Sequence, residues 1–314
     1  MPKEKAPRNK TIDTPVSDGA ALLRRCVRID APVGSLDAVL NKTVRGDMLA
    51  VCPLLPEKSV DLIVADPPYN LTKAFHGGVF SKKTAADYEA YTRAWLEAVR
   101  PLLKPTGSIY VCCDWETSLI VARVLGEGFT VRNRITWQRE KGRGAKRNWK
   151  NGMEDIWFAT AGDDYTFNVD AVKIRRQVIA PYRAGGKPKD WREGESGRFR
   201  DTCPSNFWDD ITIPFWSMAE NTAHPTQKPE KLIAKLILAS TDPGDVVFDP
   251  FLGSGTTSVV AKKLGRNYLG IERDEQYCVW AEQRLALAEK DKTIQGYTDG
   301  VFWERNTLPA QRKK

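Results

Sequence analysis

The sequence predicts an α/β fold, and three observations carry that prediction. Asp245 to Glu272, DVVFDPFLGSGTTSVVAKKLGRNYLGIE, reads as strand, glycine turn, helix and strand, which is one βαβ unit. Val60 to Ala65, VDLIVA, is a short apolar, β-branched run that suits a buried strand. Between these two stretches, segments with helical spacing of apolar residues alternate with further strand-like runs. The chain has 314 residues, 41% of them hydrophobic and 28% charged, enough for a substantial core in one large or two smaller domains.

Taken in order, residues 1 to about 25 are polar and basic, carry three prolines and lack periodicity, so they are expected to be a flexible tail. No leading apolar segment suggests secretion, and no apolar run approaches the roughly 20 residues that span a bilayer. The six cysteines include no CxxC pair, which fits reduced thiols in a cytoplasmic protein and argues against a zinc site. Lys42 to Arg45 is a short strand leading to Gly46-Asp47, and the VDLIVA strand follows. Asp87 to Leu103 carries Tyr88, Tyr91, Trp95, Val99 and Leu102 at helical spacing and stops near Pro105-Thr106-Gly107. GSIYVCC from Gly107 is the next strand, and Glu116 to Leu125 the next helix.

TVRNRITW and EDIWFATA then read as two strands of a hairpin joined by the basic, glycine-bearing stretch QREKGRGAKRNWKNG. Residues 161 to about 215 show no clear helical period, and so long a structureless stretch is usually functional or mobile. Order returns at PEKLIAKLILAS, a helix with Pro229 at its start. After the βαβ unit, Glu275 to Glu289 closes the fold as a helix, and a basic tail follows. The expected divisions are 1–25, 26–137, 138–215, 216–290 and 291–314.

Two loops carry the chemistry. Asp66-Pro67-Pro68-Tyr69 ends a strand with two residues that lack an N–H, leaving carbonyls framed by a carboxylate and an aromatic ring. That set matches a planar amino-heterocycle: Asp66 and the Pro67 carbonyl accept the two amino hydrogens, and Tyr69 stacks on the ring. The second loop, Phe248 to Thr257, has glycines that let the backbone approach a ligand at a helix N-terminus. Glu272 ends the next strand, where an acid can hold ribose hydroxyls. A nicotinamide site would want a third glycine where Ser258 stands, so an adenosyl ligand of another kind fits better.

DPPY paired with DPFLGSGTT resembles the S-adenosylmethionine-dependent DNA amino-methyltransferases. A third match is His224-Pro225-Thr226-Gln227-Lys228-Pro229 ahead of the glycine loop. The motif order, with DPPY first and the glycine motif last, is similar to the beta class, a permuted arrangement common in restriction–modification systems. The resemblance covers roughly residues 42 to 285 apart from the variable basic region. It implies a Rossmann-like, seven-stranded, mostly parallel sheet with one antiparallel β6–β7 hairpin, which the 129–160 reading suits, and an irregular target-recognition insert. It also implies that Asp66, Pro67, Pro68 and Tyr69 are catalytic. Phe248, Asp249, Phe251, Gly253, Ser254 and Gly255 would hold the methionine end of S-adenosylmethionine, Glu272 its ribose, and Asp47 would face its adenine. Thr226 and Lys228 would approach the cofactor carboxylate. The target base would be flipped out of the duplex. Asp at the first DPPY position leans toward adenine N6 in this motif order, cytosine N4 being the alternative. His76 and His224 have no partner pattern for metal or nucleophilic chemistry, so no metal is expected.

The formal charge is +8, with a pI near 9.1. Between Arg132 and Lys150 eight basic residues face one acid, Glu140. A solvated loop is the bland reading, but Gly142, Gly144 and Trp149 suit a segment that moulds to a phosphate backbone. Arg139, Lys141, Arg143, Lys146 and Arg147 are therefore the expected DNA contacts. Double-stranded DNA is the expected partner; a homodimer and a separately acting restriction endonuclease stay open. An RNA amino-methyltransferase shares the chemistry, and a non-enzymatic DNA-binding module explains the charge but neither loop.

Overall fold

Eight strands form the central sheet, in the order Lys42–Arg45, Asn267–Glu272, Val246–Asp249, Val60–Ala65, Leu103–Cys113, Met153–Thr160, Thr130–Gln138 and Phe207–Trp208. The structure is a computed structural model that describes residues 6–76, 78–139, 146–179, 182–194, 197–307 and 311. The strands are β1 (Lys42–Arg45), β2 (Val60–Ala65), β5 (Leu103–Cys113), β6 (Thr130–Gln138), β7 (Met153–Thr160), β13 (Phe207–Trp208), β14 (Val246–Asp249) and β15 (Asn267–Glu272). Pairing is parallel from β1 across to β5 and antiparallel at β5·β7 and β6·β7. The expected hairpin is thus present, and the two-residue β13 adds an eighth strand parallel to β6. A mostly parallel sheet must be covered on both faces. Alternation along β2 shows how: Leu62 and Val64 enter one core, Ile63 and Ala65 the other.

On the first face lie α5 (Glu230–Ser240) and α6 (Thr256–Lys263). On the second lie α2 (Met48–Val51), α3 (Ala85–Val99) and α4 (Ser118–Gly128). Thr84 caps α3 by accepting the Asp87 N–H at 3.1 Å, and Pro101 stops the helix by removing a donor. The strand β5 begins at Leu103, earlier than the Pro-Thr-Gly turn suggested, because its pairing with β2 shifts register between Val60 and Leu62 and resumes at Ser108. Asp274 caps α7 (Glu275–Lys290) by accepting the N–H groups of Gln276 and Tyr277.

The largest difference from the sequence reading is a second sheet of five strands, in the order β11-β12-β8-β17-β16. It joins β8 (Ile174–Gln177), β11 (Arg192–Gly194) and β12 (Gly197–Thr202) to β16 (Tyr297–Thr298) and β17 (Val301–Trp303). The stretch read as irregular and the stretch read as a tail are therefore one unit, with Phe302 opposite Ile174 in a parallel pair. Both residues are buried and extend the first core. Beneath them Lys231 and Lys235 of α5 share the buried carboxylate of Asp210, at 2.7 and 2.6 Å. Small hairpins complete the strands: β3 (Lys73–Phe75) with β4 (Gly78–Phe80), and β9 (Arg183–Ala184) with β10 (Lys187–Pro188).

The described N-terminal residues are packed as well. Ile12 donates to the Asn221 carbonyl at 2.8 Å, and the Thr14 carbonyl accepts from Gln276 and Trp280 of α7. The short α1 (Ala20–Leu23) follows against α7. Polar composition suggested a free tail here, but Ile12 and Leu22 join the small cluster around Tyr277 and Trp280.

Candidate active site

The DPPY loop leaves the C-terminal end of β2 in the middle of the sheet, where open α/β sheets place ligands. Its shape is held from behind. Tyr88 of α3 donates to the Pro68 carbonyl at 3.2 Å, and Asn70 and Lys83 exchange two hydrogen bonds that close the following loop. Among the described residues no hydrogen bond reaches the Pro67 carbonyl. Asp66 Oδ2 lies 2.6 Å from the Lys228 ammonium, which also reaches the Tyr69 hydroxyl at 3.1 Å and sits over the Tyr69 ring, 5.2 Å from its centre. Burial raises the Asp66 carboxyl above the ordinary carboxylate range, against the downward pull of Lys228.

The glycine loop leaves β14, the next strand in the sheet. Gly253 (φ +54°) and Gly255 (φ +84°) occupy the left-handed region, which side chains with a Cβ avoid. A Cβ on Gly255 would lie 2.7 Å from that of Ala281, so α6 and α7 meet there only because the atom is missing. Asp249 accepts from the Phe251 N–H at 2.9 Å and the Thr257 hydroxyl at 2.5 Å. Glu272 accepts from the Gly253 and Asp274 N–H groups, both at 2.8 Å. Neither carboxyl has a cationic partner in direct contact among the described residues, and burial pushes each up to about 7. Asp47, at the end of β1, caps α2 by accepting the Leu49 N–H at 2.9 Å.

One cavity of about 300 Å³ runs between the two loops. Asp66, Pro67, Pro68 and Tyr69 line one end, and Asp47, Asp249, Phe251, Gly253, Ser254 and Glu272 the other; Thr226 and Lys228 lie between them. Phe248 and Gly255 do not line it. The Phe248 ring points from β14 into the second core, and Gly255 shapes the turn behind the wall. Lys228 was expected at the cofactor carboxylate, but its ammonium is engaged by the DPPY loop.

The sequence model of the family described as N6/N4 DNA methylase matches residues 60–283, more than half of the chain. The chain belongs to that family. A curated relative, the DNA adenine methyltransferase YhdJ of Escherichia coli, is 34% identical over 252 residues, covering 78% of this chain and 82% of the relative. The type II methyltransferase M.HpaI of Haemophilus parainfluenzae is 33% identical, covering 74% of this chain and 69% of its own. Among solved structures, the cytosine-N4-specific PvuII DNA methyltransferase shares the fold with a TM-score of 0.56 at 18% identity, over 80% of this chain and 92% of that one. A Thermus thermophilus protein described as a putative DNA modification methylase, solved with S-adenosyl-L-methionine, gives 0.52 at 23% identity, over 83% and 97%. The protein is accordingly an S-adenosylmethionine-dependent DNA amino-methyltransferase.

The methylase site contains residues that motif reading passed over. Glu154 of β7 is buried, accepts from the Tyr69 hydroxyl at 3.2 Å and pairs with Arg139. Two adjacent acids, Glu154 and Asp155, at the start of a largely apolar strand were its only signal. His224, for which no role was read, packs edge-on against Tyr277 and stands 3.1 Å from where a Gly253 Cβ would be. Burial, with Lys228 nearby, lowers its pKa to about 3, so it stays neutral. Of the expected DNA contacts, Arg139 is half-buried at the end of β6, while Lys146 and Arg147 are exposed beside Trp149, 92% exposed. Lys141 and Arg143 lie outside the described residues.

Proposed function

We propose that this methylase is a site-specific enzyme that transfers a methyl group to the exocyclic N6 of an adenine flipped out of duplex DNA. The observation that carries the reading is the Asp66 carboxylate and the unpaired Pro67 carbonyl at one end of a cavity whose other end is the glycine loop. The residues fit S-adenosylmethionine: two cavity carboxylates, Asp47 and Glu272, suit hydroxyl and amino donors, and a glycine turn brings backbone close at the N-terminus of α6. Asp249, Phe251, Gly253, Ser254 and Thr226 complete the wall that would hold it. When bound, S-adenosylmethionine supplies an electrophilic methyl group on a sulfonium.

The work of the chain is to make a delocalised amino nitrogen attack. Asp66 and the Pro67 carbonyl accept the two amino hydrogens, which favours a tetrahedral nitrogen and frees its lone pair. Proline-fixed backbone holds both acceptors before the base arrives, so little reorganisation is needed. Tyr69 offers its ring as the stacking surface. Asp at the head of the motif favours adenine over cytosine, in line with the adenine methyltransferase named among the relatives. Arg139, Lys146 and Arg147, with Lys141 and Arg143, contact the DNA backbone or base edges.

The reading is tested by incubating the full chain with labelled S-adenosylmethionine and, in separate reactions, duplex DNA or RNA, then digesting the product to nucleosides for mass spectrometry. N6-methyladenine is expected. N4-methylcytosine as the sole product would overturn the choice of base, and label in RNA alone would overturn the substrate.

A further inference from the structure

Lys228 has more partners than an exposed or cofactor-facing lysine needs. Its three donors meet Asp66 Oδ2 at 2.6 Å, Tyr69 Oη at 3.1 Å and Glu154 Oε2 at 3.4 Å. The Tyr69 hydroxyl donates onward to Glu154 Oε2, and the Arg139 guanidinium holds Glu154 Oε1. Charges therefore alternate along this chain of contacts, Asp66, Lys228, Glu154, Arg139, and all four residues line the cavity. They come from the ends of β2 and β6, from β7 and from the loop ahead of α5, so no local sequence pattern assembles them. We propose that Lys228 and Glu154 are positioning residues for methyl transfer: the shared ammonium holds Asp66 as an ionised acceptor in the cavity, and Glu154 limits how much of Asp66's basicity it takes. The inference rests on the reading of Asp66 as the amino-group acceptor.

The physical argument is one of competition. A carboxylate wholly committed to an ammonium is a poor acceptor for a second donor, whereas a buried carboxylate with no cation takes up a proton and stops accepting there. Dividing one ammonium between two acids keeps Asp66 between those extremes. Asp66 Oδ1 accepts no hydrogen bond among the described residues and is left for the amino group. Other titratable groups face Asp66 too: Tyr69 in its own loop, Cys112 on β5, Asp249 at the end of β14 and Lys73 on β3. After burial, which raises its carboxyl, Lys228 exerts the largest pull downward and Glu154 the main electrostatic push upward.

The test is the pH dependence of single-turnover methyl transfer, measured on the full chain with saturating S-adenosylmethionine and duplex DNA. Glu154→Gln should move the acid limb of the profile to lower pH and Lys228→Gln to higher pH, each by about one unit. Lys228→Arg, which keeps the charge, should return the limb to its original place. Should Glu154→Gln fail to fold by thermal melting, the two Lys228 variants carry the test. Slower transfer at every pH with an unmoved limb would mean that the two residues only support the fold, and would overturn the proposal. An active Asp66→Ala variant would instead overturn the reading of Asp66 itself; an inactive one alongside unmoved limbs would sink the positioning role alone.

Discussion

The two loops that face each other across the cavity solve the problem of a buried carboxylate in opposite ways. At the DPPY loop, Asp66 is balanced by a full charge, the ammonium of Lys228, and its backbone is stiffened by prolines. At the glycine loop, Asp249 and Glu272 accept from neutral donors, the Thr257 hydroxyl and backbone N–H groups such as those of Phe251, Gly253 and Asp274, on a chain bent through positive φ. In the first arrangement an ammonium opposes the upward push that burial exerts on the carboxyl. The second lets carboxyls ride near neutrality, where they can trade a proton or a hydrogen bond with an incoming polyol at little cost. One end of the cavity is thus built for a transition state and the other for binding.

If that contrast holds, substitutions at the two ends should fail differently. The largest effect is expected at Asp66→Ala: transfer should fall by at least about a hundredfold, as when a preorganised partner of a transition state is removed. Cofactor affinity measured by calorimetry should change little. A parallel collapse of affinity would erase the distinction between the ends.

Next comes Gly255→Val, which forces a side chain into the left-handed region and against Ala281. It should cost about 1–2 kcal/mol in backbone conformation alone, before the clash is counted. Thermal melting should show the loss, and an unchanged melting temperature would mean that the turn is looser than described. Glu272→Ala should weaken S-adenosylmethionine binding by about 1–3 kcal/mol through lost charged hydrogen bonds. The test is calorimetric titration, with unaltered transfer at saturating cofactor.

A smaller, pH-dependent effect separates the ends again. The folded-state value for Glu272 is about 7, against an ordinary 4.5, so the native state holds the proton more tightly than the unfolded chain. Stability from this group is full at low pH and is lost as pH rises toward 7. The melting temperature of the parent relative to Glu272→Gln should therefore fall across that window and level off above it. A difference that stays flat with pH would show that Glu272 is ionised throughout. Smallest of all on transfer should be Tyr69→Phe, which keeps the stacking ring and loses only the hydroxyl's contacts with Lys228 and Glu154. Damage as severe as in Tyr69→Ala would make the hydroxyl, not the ring, the working group.

The parts legible in the sequence were those governed by local chemistry. Short apolar, β-branched runs gave β2 and the strands of the βαβ unit around the glycine turn, because each burial decision there is made within a few residues. The second sheet was not legible: IRRQ and GRFRDT carry too many charges to alternate, and the pairing of IRRQ with Phe302 and Trp303 is long-range. The site divides along the same line. DPPY and the glycine loop announce themselves as contiguous motifs. Glu154 does not, since its bond to Tyr69 spans 85 positions, and the Lys228–Asp66 contact spans 162. A lysine two residues past His224-Pro225-Thr226 could be read as a ligand contact; only the folded chain shows that a nearer acid claims it.

The parallel pairing of β17 with β8 bears on how this protein could be re-engineered. Residues 161–215 look like a cassette to exchange with the corresponding stretch of another methylase. The cassette is not closed: its strand β8 is zipped to residues 301–303, which also cover Lys231 of α5 through the Trp303 carbonyl. Exchanging the middle segment alone would set a foreign β8 against residues 301–303 and remove Asp210, the carboxylate that Lys231 and Lys235 of α5 share. The exchangeable module is two-piece, and a chimera should carry both pieces from the same parent.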